Sequence, residues 1–161
     1  MFEHFDNPRQ LLEYRIGSAI SMEQDSLSML GELEQTAQSE DIKEMFRHHA
    51  DETRHQMKNL DQVCQELEIS AAEEPSQTTK GLSREGTSLI RKSDDSLLDS
   101  VVLSAALETE HTEIAAYQSL ICLADALGLQ QVEELLTENL GREQHTSEEL
   151  YNKLKTVSAA V

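Results

Sequence analysis

Apolar residues recur along this chain every three or four positions, the period of one face of an α-helix. Asn7 and Pro8 read as a helix cap and first turn. From there the stripe Leu12, Ile16, Ala19, Ile20, Glu23, Leu27, Leu30 predicts a helix over about 8–37. Gln38, Ser39 and Glu40 make a short turn. A second helix over about 41–68 carries Ile42, Met45, His49, Glu52, Gln56, Leu60, Val63 and Leu67. Residues 69–81, with Pro75 and small polar neighbours, break the period. A short helix is expected over 82–92, weakened by Gly86. A third long helix over about 96–127 ends at Gly128, a residue suited to a C-cap. The last, over about 130–157, carries Val132, Leu136, Glu143, Leu150 and Leu154.

Two hairpins with short turns, joined by a long crossover with its own helix, make an all-α, ferritin-like four-helix bundle. The expectation is one such domain over residues 1–161.

Carboxylates interrupt the apolar stripes. At ~100° per residue, Glu23 lies near the centre of its helix's apolar face. Glu110 and Glu113 straddle the centre of theirs, and Glu143 lies between Leu136 and Leu150. Glu52 lies toward one edge of its face, with His49 and Gln56 nearer the middle. Heights agree as well. Glu113 and Glu143 are equidistant from Gly128, and Glu23 and Glu52 from the turn at 37–38. Hairpins of similar length can bring all five to one level. Uncompensated, such a group is very costly to bury. It must be protonated, paired with cations or bound to metal. Inward Glu residues from four helices with a Glu-x-x-His segment, here Glu52 to His55, are the ligands of carboxylate-bridged two-metal proteins. The competing reading of these carboxyls is a hydrogen-bonded polar layer that sets helix register. For His49 and His55 the competing reading is a hydrogen-bonded histidine, and for Tyr117 it is core packing.

Composition narrows the function. There are 13 Lys and Arg against 31 Asp and Glu, and the net charge of −18 argues against nucleic acid and anionic membrane surfaces. Leu, Ala, Glu, Gln and Ser dominate, as in helical bundles. Cys64 and Cys122 match no zinc spacing and read as reduced packing residues of a cytoplasmic protein. No apolar h-region follows Met1 and no run is long enough to span a bilayer. Phosphate loops and hydrolase elbows are absent from the sequence.

The segments HHADETRHQMKNLDQV (48–63), KGLSREG (80–86), EHTEIAAYQSLICLADALG (110–128) and LLTENLGREQHTSEEL (135–150) resemble the bacterial YciE/YciF stress-protein family over about residues 8–155. That family is similar to rubrerythrins in fold, is linked to stress responses and tends to form dimers. The resemblance implies a homodimer and a metal centre drawn from Glu23, Glu52, His55, Glu110, Glu113 and Glu143. One or two iron ions are implied, with manganese, calcium or magnesium compatible with so many carboxylates. It departs from a rubrerythrin-like pattern on the last helix, where Arg142 occupies the Glu position of Glu-x-x-His145. Arg142 could instead neutralise a carboxylate. Two functions follow. One is a metal-binding protein with O₂, peroxide or Fe(II) oxidation chemistry, supplied by an external electron donor. The other is a metal-free, dimeric structural stress protein.

Overall fold

The computed structural model describes residues 4–70 and 74–160. Among them are α1 (Pro8–Thr36), α2 (Glu40–Glu66), α3 (Gln77–Lys92), a 3₁₀ turn (Asp95–Leu97), α4 (Leu98–Ala126) and α5 (Gln130–Ser158), and no strand. Expectations about Met1 and about residues 71–73, in the middle of the crossover, fall outside the described residues.

Local chemistry explains the boundaries. Asn7 accepts from the Gln10 amide at 3.0 Å and Pro8 opens α1, satisfying one of the free N–H groups of a helix start. Gly128 takes a φ of 68° two residues beyond α4, a conformation that glycine adopts without steric cost. Glu68 takes a φ of 54° two residues beyond α2. The helix expected at 82–92 begins five residues earlier, at Gln77. Its cap is Ser76, whose hydroxyl accepts from the Thr79 amide at 3.3 Å, and Thr79 is tied to Asp25 of α1 at 2.7 Å. The helix runs through Gly86 without a break. A Cβ at that position would stand 3.3 Å from the Ala105 side chain, so the glycine lets α3 approach α4 closely.

α1 packs on α2, α4 on α5, α1 on α4, and α2 on α5. The four long helices thus form a square, and α3 lies against its α1–α4 side. Two apolar clusters fill the square. Toward one end are Leu12, Ile16, Met22, Leu60, Val63, Leu120 and Leu136, with the Tyr117 ring. Toward the other are Leu30, Leu33, Ile42, Phe46, Val102, Leu103 and Leu150. Burial of these side chains holds the bundle, at ~1.5–3 kcal/mol for each large one. Between the clusters, at the middle of every long helix, the buried side chains are polar.

Candidate metal centre

The middle layer follows from helical spacing. On α5 the inward positions Val132, Leu136, Asn139, Glu143, Thr146 and Leu150 alternate steps of four and three. Whatever stands at the central positions is buried with the apolar residues above and below. Glu23 from α1, Glu110 and Glu113 from α4, and Glu143 from α5 are each at most 1% exposed, and His49 from α2 is 4% exposed.

Three of these groups converge. His49, Glu110 and Glu143 each offer one ligand atom, all within 4.8 Å of one another. His49 Nε2 stands 3.0 Å from Glu110 Oε1, without the alignment of a hydrogen bond. Gln56 donates its amide to Glu143 Oε1 at 2.5 Å. Glu23 and Glu113 flank the trio without joining it at that distance.

Around the trio runs a chain of buried donors and acceptors. Asn59 donates to Asn139 at 2.8 Å. Asn139 donates to the Gln56 carbonyl at 3.2 Å and to the Tyr117 hydroxyl at 3.0 Å. Tyr117 donates in turn to Glu23 Oε1. Even so, Glu23 Oε2, both oxygens of Glu110, Glu113 Oε1, Glu143 Oε2 and His49 Nδ1 find no donor or acceptor among ordinary protein partners. Buried polar atoms are rarely left so.

Electrostatics say how the layer stays neutral. Burial pushes Glu110 up to about 8, opposed by the adjacent Glu143 carboxyl and helped by the charges of Glu23 and Glu52. Burial also raises Glu143, and Glu110 raises it further, while His49 and Gln56 hold it down. Glu113 is raised by burial, then by Glu143, Glu23 and Glu110. Glu23 is raised by burial and Glu143, with the Tyr117 bond opposing. Burial lowers His49, against the pull of Glu143 and Glu52. Without a cation, burial favours the protonated form of the four carboxyls and the neutral form of His49. A dication is the other way to neutralise them.

The remaining expected residues lie elsewhere. Glu52 stands at the edge of the layer, its side chain 14% exposed. It accepts from Thr146 at 3.2 Å, with Arg142 at 3.9 Å. His55 does not reach the layer. Its ring points outward and pairs with Glu138 at 3.0 Å, both half-exposed. On α2 it is His49 and Gln56, one turn on either side of Glu52, that face inward, because they share the stripe with Phe46, Leu60 and Val63. His145 pairs on the surface with Glu149 at 3.7 Å. Arg142 bonds Glu138 at 3.1 Å and leaves its Nε unpartnered. It faces the outer carboxylates, not the trio.

The donor set fits one transition-metal dication: an imidazole nitrogen and two carboxylates, with two more carboxyls beside them. Such a set suits Fe(II) or Mn(II). A second ion would have carboxylates alone, because His55 and His145 are both on the surface.

The sequence and the fold have relatives. The chain matches the family described as Domain of unknown function (DUF892) over residues 7–160. The chain belongs to the DUF892 family. It is 29% identical to Protein YciF of Escherichia coli (strain K12) over 133 residues, 81% of this chain and 80% of that one. The crystal structure of the Escherichia coli stress protein YciF superposes with a TM-score of 0.91 at 24% identity, covering 96% of this chain and 99% of that one. A Rhodopseudomonas palustris protein named YcfI, described as structural, gives 0.89 at 27% identity, with 93% and 98% covered. A Xanthomonas campestris pv. campestris protein gives 0.78 at 20% identity, with 96% and 95% covered. The likeness to YciF that the sequence segments suggest is therefore found in both sequence and fold. As a DUF892 member the chain is an all-α bundle. No helix among its described residues is long and apolar enough to cross a membrane.

Asn59 and Asn139 are absent from the sequence-based site. The signal was present: Asn139 continues the α5 stripe one turn before Glu143. An amide within an apolar face is easily passed over when carboxylates and histidines are the object of the search.

Proposed function

We propose that this DUF892 protein binds a divalent transition metal, iron by family analogy, between His49, Glu110 and Glu143. Ionised Glu110 and Glu143 would balance its charge, with Glu23 and Glu113 beside them. The observation that carries this reading is the convergence of three buried ligand atoms whose neighbours leave them short of partners. Bound iron would supply Fe(II) oxidation chemistry with O₂ or peroxide.

The chain's own part is positioning and proton handling. Gln56 fixes one oxygen of Glu143. Tyr117, itself held by Asn139, fixes one oxygen of Glu23. The apolar clusters above and below keep water from the layer, so charges act there at low dielectric. Loading requires that the carboxyls give up their protons, and this couples affinity to pH. Cys64 and Cys122 lie far apart in sequence and form no disulfide. With no four-cysteine electron-transfer module in the sequence, electrons would come from a separate donor.

The test is elemental analysis of protein purified without a metal-affinity tag, followed by anaerobic Fe(II) titration. One ion per chain, lost in Glu110→Ala, supports the reading. Two ions per chain would mean that Glu23 and Glu113 complete a second position from carboxylates alone.

The alternative is a metal-free structural protein in which the layer holds protons and sets helix register. A solved relative described as structural favours it, as do the raised carboxyls. Unfolding separates the two. A ligand that binds only the folded state at a hundredfold excess over its Kd adds ~2.7 kcal/mol, so metal binding raises Tm with Mn(II). The structural reading gives no rise.

A further inference from the structure

The α1–α4 and α2–α5 sides of the bundle differ. α3 lies against the α1–α4 side. On the α2–α5 side a cleft of about 270 Å³ opens between the helices. Its floor is His49, which is 96% buried (4% exposed), lines the cleft and has an unpartnered Nδ1. The same ring touches Glu110 at 3.0 Å through Nε2. His49 therefore belongs both to the lining of the cleft and to the buried trio.

We propose that the α2–α5 cleft is the route by which a divalent cation enters and leaves the His49–Glu110–Glu143 group. This rests on the metal-binding reading above.

Charge and chemistry support this route over the other side. The lining carries Glu44, Glu52, Glu149 and His48, with Asp41 engaged by Lys153 and Arg142 3.9 Å from Glu52. An excess of one charge raises the local concentration of the opposite ion and speeds its arrival. It does not trap the ion, because among the described residues only the buried trio brings three ligand atoms within 4.8 Å. The walls include Met45 and Leu150. Met45 is half-buried and unbranched, a side chain able to yield as an ion passes. A cleft of about 200 Å³ on the α1–α4 side has no carboxylate in its lining and has Arg15 there instead. That lining does not attract a cation.

The test is Co(II) uptake by the whole protein, followed by its visible absorbance after rapid mixing, with release driven by excess chelator. A barrier placed in the route slows entry and exit together and leaves equilibrium occupancy unchanged. Met45→Trp should do this, and Ser18→Trp, which fills the α1–α4 cleft, should change neither rate. Glu44→Gln combined with Glu149→Gln alters only exposed groups. It should slow uptake about ten-fold at low ionic strength, and the difference should shrink as salt is added. If folded Met45→Trp takes up and releases Co(II) at wild-type rates, the route is overturned while metal binding stands. If Met45→Trp does not fold, wild-type uptake by the charge variant at low salt overturns it. Slowing by Ser18→Trp alone also overturns it. Wild-type protein that takes up no Co(II) overturns the metal-binding reading and the route with it.

Discussion

Tyr117 on α4 donates its hydroxyl to Glu23 on α1 across the middle of the bundle, and the same oxygen accepts from Asn139 on α5 at 3.0 Å. Three helices are thereby tied at the height where the apolar packing stops. The Tyr117 ring belongs to one apolar cluster while its hydroxyl belongs to the polar layer. The residue marks the boundary between the two.

Tyr117→Phe keeps the ring and removes that tie. Glu23 Oε1 would then join Oε2 in having no donor, while Asn139 would retain the Gln56 carbonyl. A buried acceptor stripped of its partner costs ~1–3 kcal/mol. The expected result is a lower urea midpoint with an unchanged slope. The Tyr117 bond also favours the charged form of Glu23, so the loss should grow as pH rises. A pH-independent loss would mean that Tyr117 stabilises by packing alone.

The metal-free protein should be most stable in mild acid. Glu110 has an ordinary value of 4.5 and a folded value of about 8. Between those values the folded state keeps a proton that the unfolded chain gives up. Its contribution is therefore full below about 4.5 and is lost as pH rises through about 8, at up to ~1.4 kcal/mol per pH unit. Glu23, Glu113 and Glu143 are raised by burial and act in the same direction. His49 acts oppositely. Burial lowers it from 6.5, so it withdraws stability as pH falls below that value. The carboxyls outnumber it. In the presence of a chelator, Tm should fall steadily from about pH 5.5 to about pH 8. Added salt screens the exposed charges and should leave most of this slope in place.

The two histidines of α2 should part company in metal binding. His49→Gln removes a ligand atom from the trio and should weaken Mn(II) binding by at least ~1.4 kcal/mol, a factor of ten in Kd. His55→Gln touches only a half-exposed pair with Glu138, and such pairs contribute little. Mn(II) titration followed by electron paramagnetic resonance compares the two directly. Equal weakening by both would require His55 to swing inward on metal binding.

The positions of these histidines show what the sequence could and could not reveal. Helix number, order, the capped start at Asn7 and the turn at Gly128 are written in local spacing and residue type. The inward carboxyls at 23, 110, 113 and 143 are legible for the same reason, since a fixed angular step places them on stripes. His55 attracted attention as part of a Glu-x-x-His motif, but a motif does not say which face it occupies. The neighbours Phe46 and Leu60 do, and they turn His49 inward. Which carboxyls converge to within 4.8 Å depends on helix rotation and on the approach of α2 to α5. A one-dimensional stripe does not record these. The early start of α3 depends on Ser76 and on the Thr79–Asp25 bond, a contact between distant parts of the chain.

Glu110→Gln should separate stability from binding in one variant. The amide has nearly the shape of the carboxyl but cannot ionise, so the cost of deprotonating Glu110 in a dry site disappears. With chelator at about pH 9, above the folded value of about 8, the variant should melt higher than wild type. With excess Mn(II) the order should reverse, because wild type gains the binding free energy and the variant has lost a ligand. Groups kept for function often oppose stability in this way. A variant less stable than wild type under both conditions would mean that the ionised carboxylate of Glu110 is itself held by the fold, leaving no stability cost for a cation to relieve.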